Sequence, residues 1–177
     1  MLFLDESEVH LNPPLTKVWA RRGEPARVPA AGQNEKRVVF GAWNYRSEHF
    51  SWQISEKKNS QEFVRFLDAL ICERPPDRRL VLVMDNAGYH HARIVKDFLA
   101  AHTGELEPYW LPPYSPELNL IEYAWGYLKE TATNNYFFGS VERMQGAVEG
   151  ACRALNASPD SPLQLHFKTM KDLHRAA

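Results

Sequence analysis

Leu111 to Lys129, LPPYSPELNLIEYAWGYLK, is the stretch from which the rest of the chain can be read. Three prolines (Pro112, Pro113 and Pro116) stop whatever precedes it, because each removes a backbone donor and fixes φ. Ser115-Pro116 then predicts a helix start, with serine as N-cap, proline at the first helical position and Glu117 near the positive helix end. Leu118, Ile121, Trp125 and Leu128 recur at helical spacing and form one apolar stripe. Glu122 lies one turn after Leu118, so it flanks that stripe and is predicted not to face open water. A carboxylate aimed toward the packed side of a helix is costly unless something cationic meets it.

Working outward, Leu80-Val81-Leu82-Val83-Met84 is an almost wholly apolar run, as expected of a central strand covered on both faces, and it ends in Asp85-Asn86. Met1-Leu2-Phe3-Leu4 is a second apolar run, predicted to be a short buried strand that delivers Asp5 at its end. Lys36 to Asn44 and His49 to Ser55 are rich in β-branched and aromatic residues and are joined by Tyr45 to Glu48, which suits an antiparallel hairpin. Residues 8–34 carry four prolines and no clean period; they read as loop with a short strand near Trp19. Helices are predicted from Ser60 to Cys72, capped by Asn59 or Ser60, from about His91 to Ala101, and after Ser140. A short strand fits Leu106 to Leu111. The order β, ββ, α, β, α, β, α, α predicts one α/β domain over 1–177, a mixed central sheet with an antiparallel hairpin and helices on both faces. The tail 159–177 has no readable pattern.

Bulk properties exclude several classes. No apolar run approaches the roughly 18 residues of a membrane span, and MLFLDES has neither a basic leader nor a long hydrophobic one. The expectation is a cytoplasmic chain with no membrane partner. Cys72 and Cys152 are far apart and unaccompanied, which argues against a disulfide framework or a cysteine zinc site; Cys72 reads as inert on an apolar helix face. A net charge of −1 does not advertise nucleic-acid binding, although basic residues can grip phosphate while an acidic site offsets their charge.

Asp5 and Asp85 each follow an apolar strand. If those strands are neighbours, both aspartates emerge at one sheet edge, where a packed helix could add Glu122. Three oxygen ligands without cysteine or well-spaced histidine match a hard cation such as Mg²⁺ or Mn²⁺ better than zinc. Two such ions roughly 4 Å apart suit phosphodiester cleavage. Taken singly, each aspartate reads rather as a turn-former or helix cap, and Glu122 could pair with a lysine or arginine.

The residues also carry a resemblance. Tyr114 to Glu122 (YSPELNLIE), with Trp125 and Lys129, resembles the YSPxLNPIExxWxxLK signature of the mariner superfamily of DDE transposases, in particular their bacterial insertion-sequence branch. Asp85-Asn86-Ala87 with His90 is similar to that family's DNAxxH block. Phe3 to Ser7 resembles its first-aspartate block, and Trp19 to Pro25 a further family stretch. The 36 residues between Asp85 and Glu122 are close to the family's mid-thirties spacing.

The resemblance implies a ribonuclease-H-like fold and a catalytic triad of Asp5, Asp85 and Glu122 holding two Mg²⁺, with Mn²⁺ as substitute. It implies hydrolysis at the ends of a mobile element and attack of the freed 3′ hydroxyl on target DNA, commonly at TA, by a homodimer on paired ends. Asn86, His90 and Lys129 are candidates for orienting a ligand from behind or for contacting DNA. Trp125 reads as core, and His91 has no assigned role. Two departures stand out: Leu120 replaces the family's usual proline, and only four residues precede Asp5 where relatives generally carry a helix-turn-helix DNA-binding region. The expectation is a catalytic domain alone, partnered by a helix-turn-helix segment from a split reading frame, or a non-catalytic nucleic-acid-binding or assembly remnant. A nuclease acting on RNA is a third reading, separable by comparing cleavage of DNA and RNA.

Overall fold

A computed structural model of the chain describes residues 1–30, 32, 35–113 and 115–157; Tyr114 and the segment 158–177, which holds the tail, lie outside them. Five strands form one mixed sheet: β1 (Leu2–His10), β2 (Lys36–Asn44), β3 (Phe50–Ser55), β4 (Leu80–Met84) and β5 (Leu106–Trp110), in the order β3-β2-β1-β4-β5. The β1–β2–β3 half is antiparallel, whereas β4 runs parallel to β1 and to β5.

Alternation along β1 sends its side chains to two separate cores. Leu2 and Leu4 pack with Phe63, Phe66, Leu67 and Leu70 of helix α1 (Ser60–Glu73) and Val95 of helix α2 (Arg93–Ala101). Phe3 and Val9 face Ala124, Trp125 and Leu128 of helix α3 (Glu122–Leu128), and Met144, Val148, Cys152 and Leu155 of helix α4 (Val141–Ala157). Burial on both faces makes Leu2–Leu4 of β1 and the whole of β4 read as continuous apolar runs. Asn59 caps α1 by accepting from the Glu62 backbone N–H at 2.9 Å. At the sheet edge, Asn156 of α4 satisfies both backbone groups of Phe50: its Nδ2 donates to Phe50 O at 2.9 Å and its Oδ1 accepts from Phe50 N–H at 2.8 Å.

Four expectations are corrected. Strand β1 does not end at Asp5 but continues five residues to His10, because β2 pairs with it throughout, Asp5 opposite Gly41. No strand forms near Trp19, which is fully exposed. This segment is tied down at Asn135, whose Oδ1 accepts from Thr16 N–H at 2.9 Å and whose own N–H donates to Pro14 O at 3.0 Å. Cys72 is exposed and not on the apolar face of α1.

The fourth correction concerns the helix after Ser115. A 3₁₀ turn at Pro116–Leu118 comes first, Asn119 is extended, and α3 begins only at Glu122. Ser115 makes no side-chain cap, and Leu118, at 48% exposure, is outside the core. Buried Asn119 takes the chain out of helical phase, donating from Nδ2 to Leu4 O of β1 at 2.9 Å. The apolar stripe survives as Ile121, Trp125 and Leu128, and Glu122 is exposed, so no cation is needed to compensate for burial.

Candidate active site

Register fixes the two aspartates first. Leu2 pairs with Leu82 and Phe3 with Val83, an offset of 80 residues; the same offset carried past the last pair sets Asp5 level with Asp85. Asp85 leaves β4 directly after Met84 and turns on itself, its Oδ1 accepting from the Ala87 N–H at 3.0 Å. Glu122 is the first residue of α3, where the positive helix end favours a carboxylate. All three acids line one cleft of about 530 Å³, with Asn86, Ala87, Leu111, Asn119 and the prolines Pro112, Pro113 and Pro116 among its walls.

Asp5 is held from one face of the sheet. The Trp125 indole Nε1–H donates to Asp5 Oδ2 at 2.8 Å. That approach needs Gly41, opposite Asp5 on β2: a Cβ there would sit 2.6 Å from Trp125 Cη2 and 2.9 Å from Phe50 Cζ. Burial, followed by the charge of Glu6 and in smaller part that of Glu122, pushes the Asp5 carboxyl up to about 7; the Glu6 backbone and the Trp125 indole pull the other way.

Asp85 is held from the other face. His90, in a 3₁₀ turn at Gly88–His91, places Nδ1 3.1 Å from Asp85 Oδ1 and Nε2 3.2 Å from Glu6 Oε1. Burial alone lowers the imidazole, but hydrogen bonds to Asp85 and Glu6 outweigh it and carry His90 up to about 9. The His90 hydrogen bond in turn holds the Asp85 carboxyl below the usual carboxylate range. Asn86 donates from Nδ2 to Leu111 O at 2.6 Å and meets His91 Nε2 with Oδ1 at 3.1 Å, tying the ends of β4 and β5 together.

The donor set fits a hard cation. The three acids offer oxygen only, Asp5 is a carboxyl raised by burial and then by neighbouring negative charge, and the buried Oδ1 of Asn119, also in the cleft wall, has no partner among the described residues. As they stand the acids surround an open cleft: among the described residues no group of three or more histidine, cysteine or acidic side chains is gathered closely enough to hold a metal ion.

Of the sequence candidates, Asp5, Asp85, Asn86 and Glu122 share the cleft wall. His90 is buried behind it, and Lys129 is exposed at the start of a π-turn (Lys129–Thr133), away from the lining residues. The sequence reading missed Glu6, Gly41 and Asn119, and missed that Trp125 is a hydrogen-bond donor as well as core. A glycine inside an aromatic-rich strand signals close approach, and an acid one step from Asp5 must face the opposite core; both signals were present. Asn119→Ala would leave the Leu4 carbonyl buried without its donor, an expected cost of about 1–3 kcal/mol, read as a lower urea midpoint at unchanged m.

With this geometry in hand, comparison with known proteins is informative. A family model described as DDE superfamily endonuclease matches residues 1–145. The insertion element IS630 uncharacterized 39 kDa protein of Shigella sonnei is 30% identical over 136 residues, which is 77% of this chain and 39% of that protein. The Mos1 strand transfer complex contains a chain that superposes with a TM-score of 0.69 at 21% identity, over 97% of this chain and 51% of that one. The catalytic core of BIV integrase superposes with a TM-score of 0.54 at 17% identity, over 78% of this chain and 90% of that one. These structures share the ribonuclease-H-like fold seen here. The chain spans about half or less of the length of the insertion-element protein and the Mos1 chain, and no helix of the described residues is long and apolar enough to cross a membrane.

Proposed function

The chain belongs to the DDE superfamily endonuclease family, and from that membership we propose that it is the catalytic domain of an insertion-sequence transposase, a metal-dependent DNA endonuclease that also transfers strands. The observation that carries this reading is the single cleft that gathers Asp5, Asp85 and Glu122 at the ends of two parallel strands. These three residues would hold two Mg²⁺, or Mn²⁺ in their place. When bound, such ions supply activation of the attacking oxygen and charge neutralisation at the leaving one.

The chain's own residues do the rest by holding position. Trp125 fixes Oδ2 of Asp5, while the Ala87 N–H and His90 fix Oδ1 of Asp85. Exposed Glu122 reaches the cleft from the first turn of α3. Asn86, in the wall, would contact a DNA strand, and Lys129 would meet phosphate further along it. In the first reaction water attacks the phosphodiester at an element end and releases a 3′ hydroxyl. In the second that hydroxyl attacks target DNA, commonly at TA, and the target's own 3′ oxygen leaves. Residues 1–177 would work in the cytoplasm as one catalytic domain, in a homodimer on paired ends. Recognition of those ends would fall to a helix-turn-helix segment outside these residues.

A second reading is a non-catalytic nucleic-acid-binding or assembly remnant that keeps the fold. Nicking of supercoiled plasmid in Mn²⁺ by the purified chain, beside Asp5→Asn, Asp85→Asn and Glu122→Gln, separates the two. The proposal expects nicking by the parent and its loss in all three variants. Nicking that survives in the variants overturns the assignment; a parent that neither nicks nor is stabilised by Mn²⁺ supports the remnant.

A further inference from the structure

Glu6 is the most deeply buried acid in the described structure that the proposed chemistry leaves without a task. Its side chain is 2% exposed and projects from β1 on the face opposite Asp5. Burying a carboxylate so completely costs several kcal/mol unless its oxygens are paired. Here they are paired three ways. Oε1 faces His90 Nε2 at 3.2 Å, and Oε2 takes the Tyr89 hydroxyl and the Lys58 ammonium, the latter at 3.4 Å.

His90 passes this fixation forward. With Nε2 held by Glu6, the imidazole plane is set, and Nδ1 meets both the backbone carbonyl of Asp85 at 3.2 Å and its Oδ1 at 3.1 Å. The Phe63 ring lies 4.3 Å from His90, centroid to centroid, and closes the remaining side. Because the Ala87 N–H takes the same Oδ1, Asp85 has one oxygen committed to the protein, and among the described residues its hydrogen bonds run through Oδ1 and the backbone carbonyl, not Oδ2. Acid, histidine and acid thus stand in series across the sheet from β1 to the end of β4.

We propose that Glu6 is a positioning residue: acting through His90, it orients Asp85 so that Oδ2 is presented to the cleft cation. This rests on the metal-dependent reading of the cleft. Partners in direct contact with a ligating group, as His90 is with Asp85, commonly change metal affinity by about 10–100-fold when removed, and Glu6, one step further back, is expected to reach the lower end of that range. A purely structural network would change stability alone.

Mn²⁺ titration by calorimetry on the whole chain tests this, with Asp85→Asn, Glu6→Ala, Glu6→Gln and Tyr89→Phe alongside. Glu6→Ala is expected to weaken Mn²⁺ binding by about 10-fold, the lower end of that range. Glu6→Gln keeps the shape and an acceptor for His90, and should return affinity to near the parent's. Tyr89→Phe, which removes one of the two donors to Glu6 Oε2 and keeps the ring, should shift affinity in the same direction as alanine but less. Equal weakening in Glu6→Gln and Glu6→Ala would mean that lost charge, and not position, matters, and the proposal is overturned. Parental affinity in Glu6→Ala overturns it as well. If Glu6→Ala does not fold, unchanged affinity in Tyr89→Phe does the same. Failure of the underlying metal reading has a different signature: no Mn²⁺ binding by the parent, or parental binding by Asp85→Asn.

Discussion

Removing the acid at the centre of the cleft is expected to make the metal-free protein more stable at neutral pH. Asp5 is pushed from 3.8 to about 7 by burial and by the charges of Glu6 and Glu122. A carboxyl whose folded pKa lies above its unfolded value binds more protons folded than unfolded between those two values. Stability therefore falls as pH rises through that window, from about 4 to about 7, and the loss is complete above it. Three units correspond to about 4 kcal/mol, an order-of-magnitude figure. Asp5→Asn keeps an acceptor for the Trp125 indole and removes the charge. Thermal unfolding without divalent metal should show a higher Tm for Asp5→Asn than for the parent at pH 8, and no such difference at pH 4. Mn²⁺ should raise the parent's Tm at pH 8 and leave the variant's unchanged, since a ligand stabilises only the form that binds it. A lower Tm for Asp5→Asn at pH 8 without metal would sink the argument.

His90 contributes a separate pH dependence. Its folded pKa is raised from 6.5 to about 9 by Asp85 and Glu6, against the effect of burial. The stability it supplies is fully present below about 6.5 and is lost as pH rises through 9. His90→Gln should flatten that upper segment of the profile and leave the Asp5 segment in place.

The second large effect is expected at Gly41, which touches no proposed substrate. A methyl group there would meet Trp125 Cη2 at 2.6 Å and Phe50 Cζ at 2.9 Å. Neither ring can retreat easily: both are buried, they pack edge to face with centroids 5.7 Å apart, and Trp125 is tethered to Asp5. Overpacking of this kind costs about 1–3 kcal/mol. If the indole moves, the hydrogen bond to the Asp5 carboxylate goes too, about 1.5–3 kcal/mol for a charged acceptor. Gly41→Ala is therefore expected to lower stability by about 3 kcal/mol and to weaken plasmid nicking, although it lies on a neighbouring strand. In a Trp125→Leu background the same substitution should cost far less, giving a coupling above about 1 kcal/mol in a double-mutant cycle. Additive effects of the two changes would show that Gly41 does not serve as the slot for Trp125.

The three acids are held in different ways. Asp5 and Asp85 are each fixed by a buried partner, Trp125 on one face of the sheet and His90 on the other. Glu122 is exposed at the start of a seven-residue helix preceded by a 3₁₀ turn and an extended residue. Two of the acids are set by the sheet, and the third sits on a segment held to β1 by the Asn119 side chain.

The sequence by itself determined the elements and the set of acids. Apolar runs at Leu2–Leu4 and Leu80–Met84 and the helical stripe Ile121, Trp125 and Leu128 are local patterns, and their burial follows from side-chain periodicity alone. The length and specificity of the segment around Glu122 likewise made the family legible. Tertiary structure decided what periodicity does not encode. Pairing with β2 carried β1 past Asp5 to His10, because a ladder lengthens wherever a partner strand supplies hydrogen bonds. The buried contact of Asn119 with Leu4 broke the expected helix before Glu122 and left that acid exposed. The supports of Asp5 and Asp85 come from residues 120, 36 and 84 positions away in pairs Trp125–Asp5, Gly41–Asp5 and His90–Glu6. Such contacts depend on which face each strand presents and on how closely two backbones approach, and both are set only when the sheet has closed against its helices.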